Sequence, residues 1–151
     1  RVLMLKVPAK EFAQALTGAV HTRLVRKLCD ACKVPYKPSD EQLQQLGLPP
    51  GRVPQMFNPK VYQAPVVKDR KAPPPCEKCG GVGYYGRTAI YEILIANAEL
   101  REALQKTPKL EILRPLARKA GMRTLQEEGI LMCAKGITSV AELARVLKTE
   151  K

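Results

Sequence analysis

CDAC at residues 29–32 and CEKC at residues 76–79 are the two stretches that decide the fold of this chain. Two residues between the cysteines let both sulfurs of a pair point inward from one tight turn, and two such turns supply four thiolates in a tetrahedron. The 43 intervening residues exceed the roughly 15 to 20 of most such sites, but loop-closure entropy rises slowly with length. The spacing therefore predicts one structural zinc ion bound by Cys29, Cys32, Cys76 and Cys79.

Three other interpretations of these cysteines are two disulfides, a redox dithiol and four unrelated buried thiols. Disulfides are disfavoured because nothing in the sequence indicates secretion. Zinc with four protein thiolates has no open position for water, so we expect a structural and catalytically inert site. Lys27, Lys33 and Lys78 are close in sequence and would offset part of the thiolate charge. We expect Cys133 to be a small buried hydrophobe in an apolar helix, and His21 to lie at a helix end or on the surface.

The composition favours small helical subdomains. Apolar residues make up 45% of the 151 residues, whereas aromatic residues make up 5% and tryptophan is absent, which fits helices packed on aliphatic side chains better than a large β-sandwich. The net charge of +12 suggests acidic partners, although the basic residues are dispersed, as on a solvated surface. No run reaches the ~18 apolar residues of a membrane span. Because the chain starts at Arg1, we expect it to be a piece of a longer protein.

Periodicity predicts an α+β fold that is mostly α. Apolar residues at helical spacing, Phe12, Leu16, Ala19 and Val20, follow Pro8. Strands are expected over residues 22–28 and 84–94. Residues 33–75 hold ten of the thirteen prolines, so they should form a long loop, with one short helix from Ser39 or Asp40 to Leu48.

The residues after 95 include capping and terminating residues that predict four helices. These would run from a cap at Asn97 to Lys106, from Pro108 to Gly121 with Pro115 inside, from Thr124 to Gly136, and from Ser139 to about Lys148. The fold expected is therefore a small four-cysteine zinc subdomain with short strands, followed by a C-terminal helical bundle. Phosphate-loop and catalytic-triad motifs are missing, so the chain itself is not expected to be an enzyme.

Four segments carry a resemblance to a known family. They are RLVRKLCDACKVPY at 23–36, CEKCGGVGYYGRTAIYE at 76–92, GMRTLQEEG at 121–129 and KGIT at 135–138. In order and spacing they resemble the C-terminal part of the type II secretion and type IV pilus assembly ATPases. The resemblance covers nearly the whole chain outside the proline-rich segment.

This resemblance implies a domain organisation and a set of partners. Residues 1–28 would be the tail of a RecA-like ATPase domain, 29–94 the zinc subdomain with its proline-rich insertion at 33–75, and 95–151 a helical subdomain. ATP and Mg²⁺ would bind only in the parent protein, a homo-hexamer on the cytoplasmic face of the bacterial inner membrane. Its partners would be neighbouring subunits, the inner-membrane platform and secretion or pilus assembly proteins. Arg87 would lie near the nucleotide or the subunit interface.

Two alternatives compete with this interpretation. A zinc-ribbon module for nucleic acid would suit the net charge, but such modules usually add stacking aromatics or a basic stripe, so no nucleic-acid partner is expected. A chaperone cysteine-rich region would suit CEKCGGVG at 76–83, but the residues after Cys32 lack the glycines of that repeat.

Overall fold

The computed structural model describes residues 6–63 and 73–148, and within them the fold is α+β, as predicted. The helices are α1 (Ala9–Ala15), α2 (Asp40–Gln45), α3 (Ala98–Lys106), α4 (Leu110–Lys119), α5 (Leu125–Ala134) and α6 (Val140–Leu147). The strands are β1 (Gly18–Leu28), β2 (Val34–Tyr36), β3 (Met56–Asn58) and β4 (Tyr84–Ile95). Strand β1 pairs with β4, and β2 pairs with β3. None of the described helices exceeds ten residues, and none has the length and apolar character that a membrane crossing requires.

The chain divides into two compact units. The first combines the residues up to Thr22 with Tyr91–Leu125, and the second combines Arg23–Ile90 with the residues from Gln126 onward. Helices α3 and α4 therefore belong to the first unit and α6 to the second, whereas the sequence suggested a single bundle after residue 95. The assignment of sequence ranges to functional domains stays a prediction.

In the first unit, α3 and α4 enclose a small aliphatic core. Asn97 accepts a hydrogen bond from the Leu100 N–H at 2.8 Å, so it caps α3 as predicted and satisfies one of the donors that a helix start leaves open. Leu100 and Ala117 are buried. The partly buried residues packed on this core are Leu16, Leu94, Leu113, Leu116 and Met122.

The first helix is shorter than its apolar spacing suggested. Helix α1 ends at Ala15 because Leu16 has an extended backbone, and β1 begins at Gly18. The prediction that the apolar helical face continues to Ala19 and Val20 was therefore wrong. A Cβ atom at Gly18 would lie 2.7 Å from the Leu94 carbonyl oxygen, which shows how closely this part of β1 approaches the end of β4. Val20 is accordingly an exposed strand residue. His21 is exposed within β1, which confirms the surface position, one of the two that were expected.

The proline-rich segment contains more regular structure than its composition indicated. β2 and β3 pair in antiparallel fashion, with Val34 opposite Asn58 and Pro35 opposite Phe57. A two-stranded sheet consists of edge strands only, where proline is tolerated. Ser39 caps α2 by accepting a hydrogen bond from the Gln42 N–H at 3.2 Å, as expected, although the helix ends at Gln45 instead of Leu48.

Among the later helices, α4 differs from expectation at its start. Helix α4 begins at Leu110 instead of Pro108 because Lys109 retains an extended backbone, and Pro115 lies within it. Helices α5 and α6 lie where they were predicted. Ser139 caps α6 by accepting a hydrogen bond from the Glu142 N–H at 3.1 Å.

Candidate metal centre

The first knuckle, Cys29–Cys32, is a tight turn at the end of β1. The Cys29 carbonyl oxygen accepts hydrogen bonds from the N–H groups of Cys32 at 3.2 Å and Lys33 at 2.9 Å. The Cys29 N–H donates to the carbonyl oxygen of Gly83 at 3.0 Å, one residue before β4 begins. The pairing of β1 with β4 therefore brings the first knuckle to the chain segment that follows Cys79.

The second knuckle, Cys76–Cys79, is followed by a glycine-rich turn with positive φ angles. Gly80, Gly81 and Gly83 have φ values of 61°, 84° and 80°, in the left-handed region where glycine has no steric penalty. A Cβ atom at Gly81 would lie 2.6 Å from the Tyr62 Cβ, so this position has no room for a side chain. Within it the Gly83 N–H donates to the Cys79 Sγ at 3.3 Å.

The two knuckles place four sulfur atoms in one cluster. All four Sγ atoms lie within 4.8 Å of one another, with Cys29 and Cys76 separated by 3.9 Å and Cys32 and Cys79 by 3.7 Å. A disulfide would need about 2.05 Å, and the cysteines are free thiols. A tetrahedral site with Zn–S bonds of about 2.3 Å has sulfur–sulfur edges of about 3.8 Å. The donor set and its spacing therefore fit a four-thiolate zinc ion.

The cluster perturbs its own thiols in opposite directions. Burial raises the pKa of Cys32 to about 12, and contacts with the other three thiols add to this rise. Burial also raises the pKa of Cys79, but the N–H groups of Gly83 and Gly81 and the neighbouring thiols stabilise the thiolate and bring its pKa down to about 7. Of these two thiols, Cys79 therefore loses its proton more readily than Cys32.

The lysines near the first knuckle have specific partners. Lys33 Nζ donates to Asp30 Oδ1 at 3.0 Å and to the Gly136 carbonyl oxygen at 3.1 Å, and it lies 4.8 Å from the centre of the Phe57 ring. Lys33, through its hydrogen bond and charge, lowers the pKa of Asp30, with smaller effects from Lys78 and Lys27. All three lysines therefore act on Asp30, a residue of the first knuckle, and their effect on the charge of the thiolates stays a prediction.

The remaining candidates are not members of the sulfur cluster. Arg87 is an exposed residue of β4, and its predicted contact with nucleotide or a subunit interface stays a prediction. Cys133 is buried in α5, as expected of a small hydrophobe, and its burial raises the pKa of the thiol to about 12.

A charged network in the second unit escaped the sequence analysis. The Glu142 carboxylate, whose side chain is fully buried, accepts hydrogen bonds from the main-chain N–H, Nε and Nη2 of Arg26 and from Nε and Nη2 of Arg145. The Arg26 guanidinium also lies 4.2 Å from the centre of the Tyr84 ring, a cation–π geometry. The sequence contains no local signal for this network, because Arg26 and Glu142 are 116 positions apart.

The described residues thus form an α+β fold with a four-cysteine cluster in the second unit. Residues 1–145 match the model of the family described as type II/IV secretion system protein. The chain belongs to this family, in agreement with the resemblance seen in its motifs.

Several curated proteins are similar to this chain. The type IV pilus assembly ATPase PilB of Thermus thermophilus is 38% identical over 135 residues, which cover 89% of this chain and 14% of that protein. The type II secretion system protein E of Dickeya dadantii is 36% identical over 137 residues, which cover 90% of this chain and 24% of that protein. The HofB homologue of Escherichia coli, a protein transport protein, is 35% identical over 135 residues. The chain thus spans a quarter or less of the length of these relatives.

Proposed function

We propose that this chain is the zinc-binding C-terminal region of a hexameric secretion or pilus assembly ATPase, with a structural and inter-subunit role. The observation that carries the metal assignment is the cluster of four sulfurs, whose separations of 3.7 and 3.9 Å suit the edges of a zinc–thiolate tetrahedron. Such a site is closed to water, so the zinc would hold the two knuckles together and take no part in chemistry.

ATP hydrolysis would reside in a part of the longer protein outside this chain. Support comes from the two relatives named as ATPase or secretion protein E, of which this chain matches only 14% and 24%, and from the lack of a phosphate-binding loop in the sequence. ATP and Mg²⁺ would bind in that other part, on the cytoplasmic face of the inner membrane. Arg87, exposed on β4, would reach nucleotide or the neighbouring subunit with its guanidinium.

Several exposed apolar side chains are compatible with an inter-subunit role. Val20, Ile93, Ile95 and Leu110 are exposed by 66%, 44%, 66% and 67%, although side chains of this kind are usually buried. Leu24 and Val82 in the second unit are exposed by 60% and 52% as well, so both units carry apolar side chains that an assembly could cover. We propose neighbouring subunits of a homo-hexamer, the inner-membrane platform and secretion or pilus assembly proteins as the partners.

The experiment that tests the metal assignment is elemental mass spectrometry of the chain purified without added metal. One zinc per chain is the expected result, whereas freely titrating thiols without zinc would remove the basis of the proposal. A parallel assay of ATP turnover should find none in this chain, and robust hydrolysis would contradict the placement of catalysis elsewhere.

A further inference from the structure

The connection between α5 and α6, residues 135–139, contacts both sides of the first knuckle. On the side before Cys29, the Leu28 N–H donates to the Ile137 carbonyl oxygen at 2.9 Å. On the side after Cys32, Lys33 Nζ donates to the Gly136 carbonyl oxygen at 3.1 Å. Two adjacent carbonyl groups of this connection therefore bracket the ligand turn, although more than 100 residues separate the partners in sequence.

The same connection and the start of α6 also bind the main chain of Arg26. The Thr138 hydroxyl donates to the Arg26 carbonyl oxygen at 2.9 Å, and Glu142 Oε1 accepts from the Arg26 N–H at 3.1 Å. Thr138 and Glu142 are 0% and 1% exposed, so in each bond the Thr138 or Glu142 partner is shielded from water. This burial matters because a buried polar group that loses its hydrogen-bond partner lowers the free energy of unfolding.

These contacts give β1 a second bonded edge. Main-chain groups of residues i and i+2 point to the same edge of a strand, and Arg26 and Leu28 stand in this relation. Their groups bond to residues 137, 138 and 142, while the next N–H, that of Cys29, bonds to Gly83 beside β4. The last residues of β1 before Cys29 are therefore held by hydrogen bonds on both edges of the strand.

We infer that Thr138 and Glu142 are positioning residues for the metal centre, which hold Cys29 and the first knuckle in the geometry that the metal ion requires. The inference rests on the proposed zinc function. A ligand turn that is already ordered loses less freedom when the metal binds. Groups that orient metal ligands from outside the coordination sphere typically change metal affinity by about 10- to 100-fold.

The test is the Zn²⁺ affinity of the full chain, measured by competition with a chromophoric chelator, together with the absorption spectrum of the Co²⁺-loaded protein as a readout of ligand geometry. Thr138→Val removes one hydroxyl at nearly constant volume, and we expect about tenfold weaker Zn²⁺ binding. Glu142→Gln should weaken it more and alter the Co²⁺ spectrum. Glu99→Gln, which removes only the exposed ion pair with Lys119 in the first unit, is the control and should match the wild type.

The outcomes separate this inference from the zinc proposal. If the wild-type chain binds no Zn²⁺, the proposed function itself fails. If the wild type binds Zn²⁺ and both variants bind it within twofold of the wild type while unfolding more easily, the contacts are merely structural and the inference is overturned. Should Glu142→Gln fail to fold, Thr138→Val decides alone, because it removes a single neutral hydrogen bond.

Discussion

Glu142 accepts a hydrogen bond from the main-chain N–H of Arg26 at 3.1 Å, although 116 residues separate the two in the chain. The same carboxylate accepts from the Arg26 side chain through Nε and Nη2. One buried carboxylate thus holds both the backbone and the side chain of the strand residue that precedes the first knuckle by three positions.

The network around Glu142 should make stability depend on pH in a defined window. Hydrogen bonds from Arg145 lower the pKa of Glu142 to about 2, with Arg26 adding to the effect against the opposing influence of burial. A depressed carboxyl pKa contributes stability that is present above the unfolded value of 4.5 and is lost as pH falls through about 2. Glu142→Gln should therefore cost about 2 kcal/mol at pH 7, and the difference from wild type should shrink between pH 4.5 and 2.

Urea unfolding of both proteins at a series of pH values measures this difference. Both proteins lose metal in acid as their thiolates become protonated, so the quantity to follow is the gap between them and not either curve alone. A gap that stayed constant from pH 6 to pH 2 would show that the Glu142 charge contributes nothing.

The glycine turn after Cys79 permits a comparison of two neighbouring positions. Gly80 and Gly81 both have positive φ, but a Cβ atom at Gly80 would meet nothing within 4 Å whereas one at Gly81 would meet Tyr62 at 2.6 Å. Gly80→Ala should therefore cost only the left-handed backbone penalty, about 1 kcal/mol. Gly81→Ala should cost about 3 kcal/mol because overpacking is added. Equal costs in denaturant unfolding of the metal-loaded chain would refute the close packing of Tyr62 on this turn.

Thiol reactivity should distinguish four cysteines from the fifth. With zinc bound, we expect slow alkylation of all five, because thiolates bound to metal and buried thiols are both protected. A chelator should release the four cysteines of the knuckles, while Cys133, whose pKa is raised to about 12 by burial, should react only after denaturation. Mass spectrometry of the alkylated chain counts the modified residues, and rapid modification of Cys133 in the chelated but folded chain would contradict its burial.

Replacement of a single ligand should impair the whole centre. Cys76→Ser leaves three thiolates, and because metal affinity contributes directly to folding stability, we expect zinc content to fall well below one per chain and the melting temperature to fall by about 10 °C. Cys133→Ala is the matched control: it removes a cysteine outside the cluster and should leave one zinc per chain. If zinc content were the same in Cys76→Ser and wild type, Cys76 could not be a ligand.

The sequence was most informative where structure is local. The C-x-x-C turns, the caps at Ser39, Asn97 and Ser139, and strand β4 all follow from residues within a few positions of one another, and all lie where they were predicted. The clustering of the four sulfurs was also predictable, since two C-x-x-C turns in one chain typically bind a single metal ion together. The identity of the metal and the role of Arg87 remain predictions.

Long-range pairing was the part that the sequence did not reveal. The antiparallel partners Val34 and Asn58 are joined across a segment dominated by proline, and no local signal indicates their register. The network of Arg26 and Glu142 was missed for the same reason. Helix α1 was overestimated because Ala19 and Val20 continue its apolar spacing, while the close approach of Gly18 to Leu94, which favours a strand, is visible only in three dimensions.

The long separation between the knuckles has a consequence for the kinetics of folding. Cys29 and Cys76 are 47 positions apart, so the chain must close a large loop before β1 can meet β4, and such non-local closure slows folding. A zinc ion that binds first one pair of thiolates and then the other would close this loop early. The pairing of β1 with β4 could then proceed from the residues next to the metal. The refolding rate should then rise with zinc concentration. The metal would initiate folding as well as stabilise the folded state.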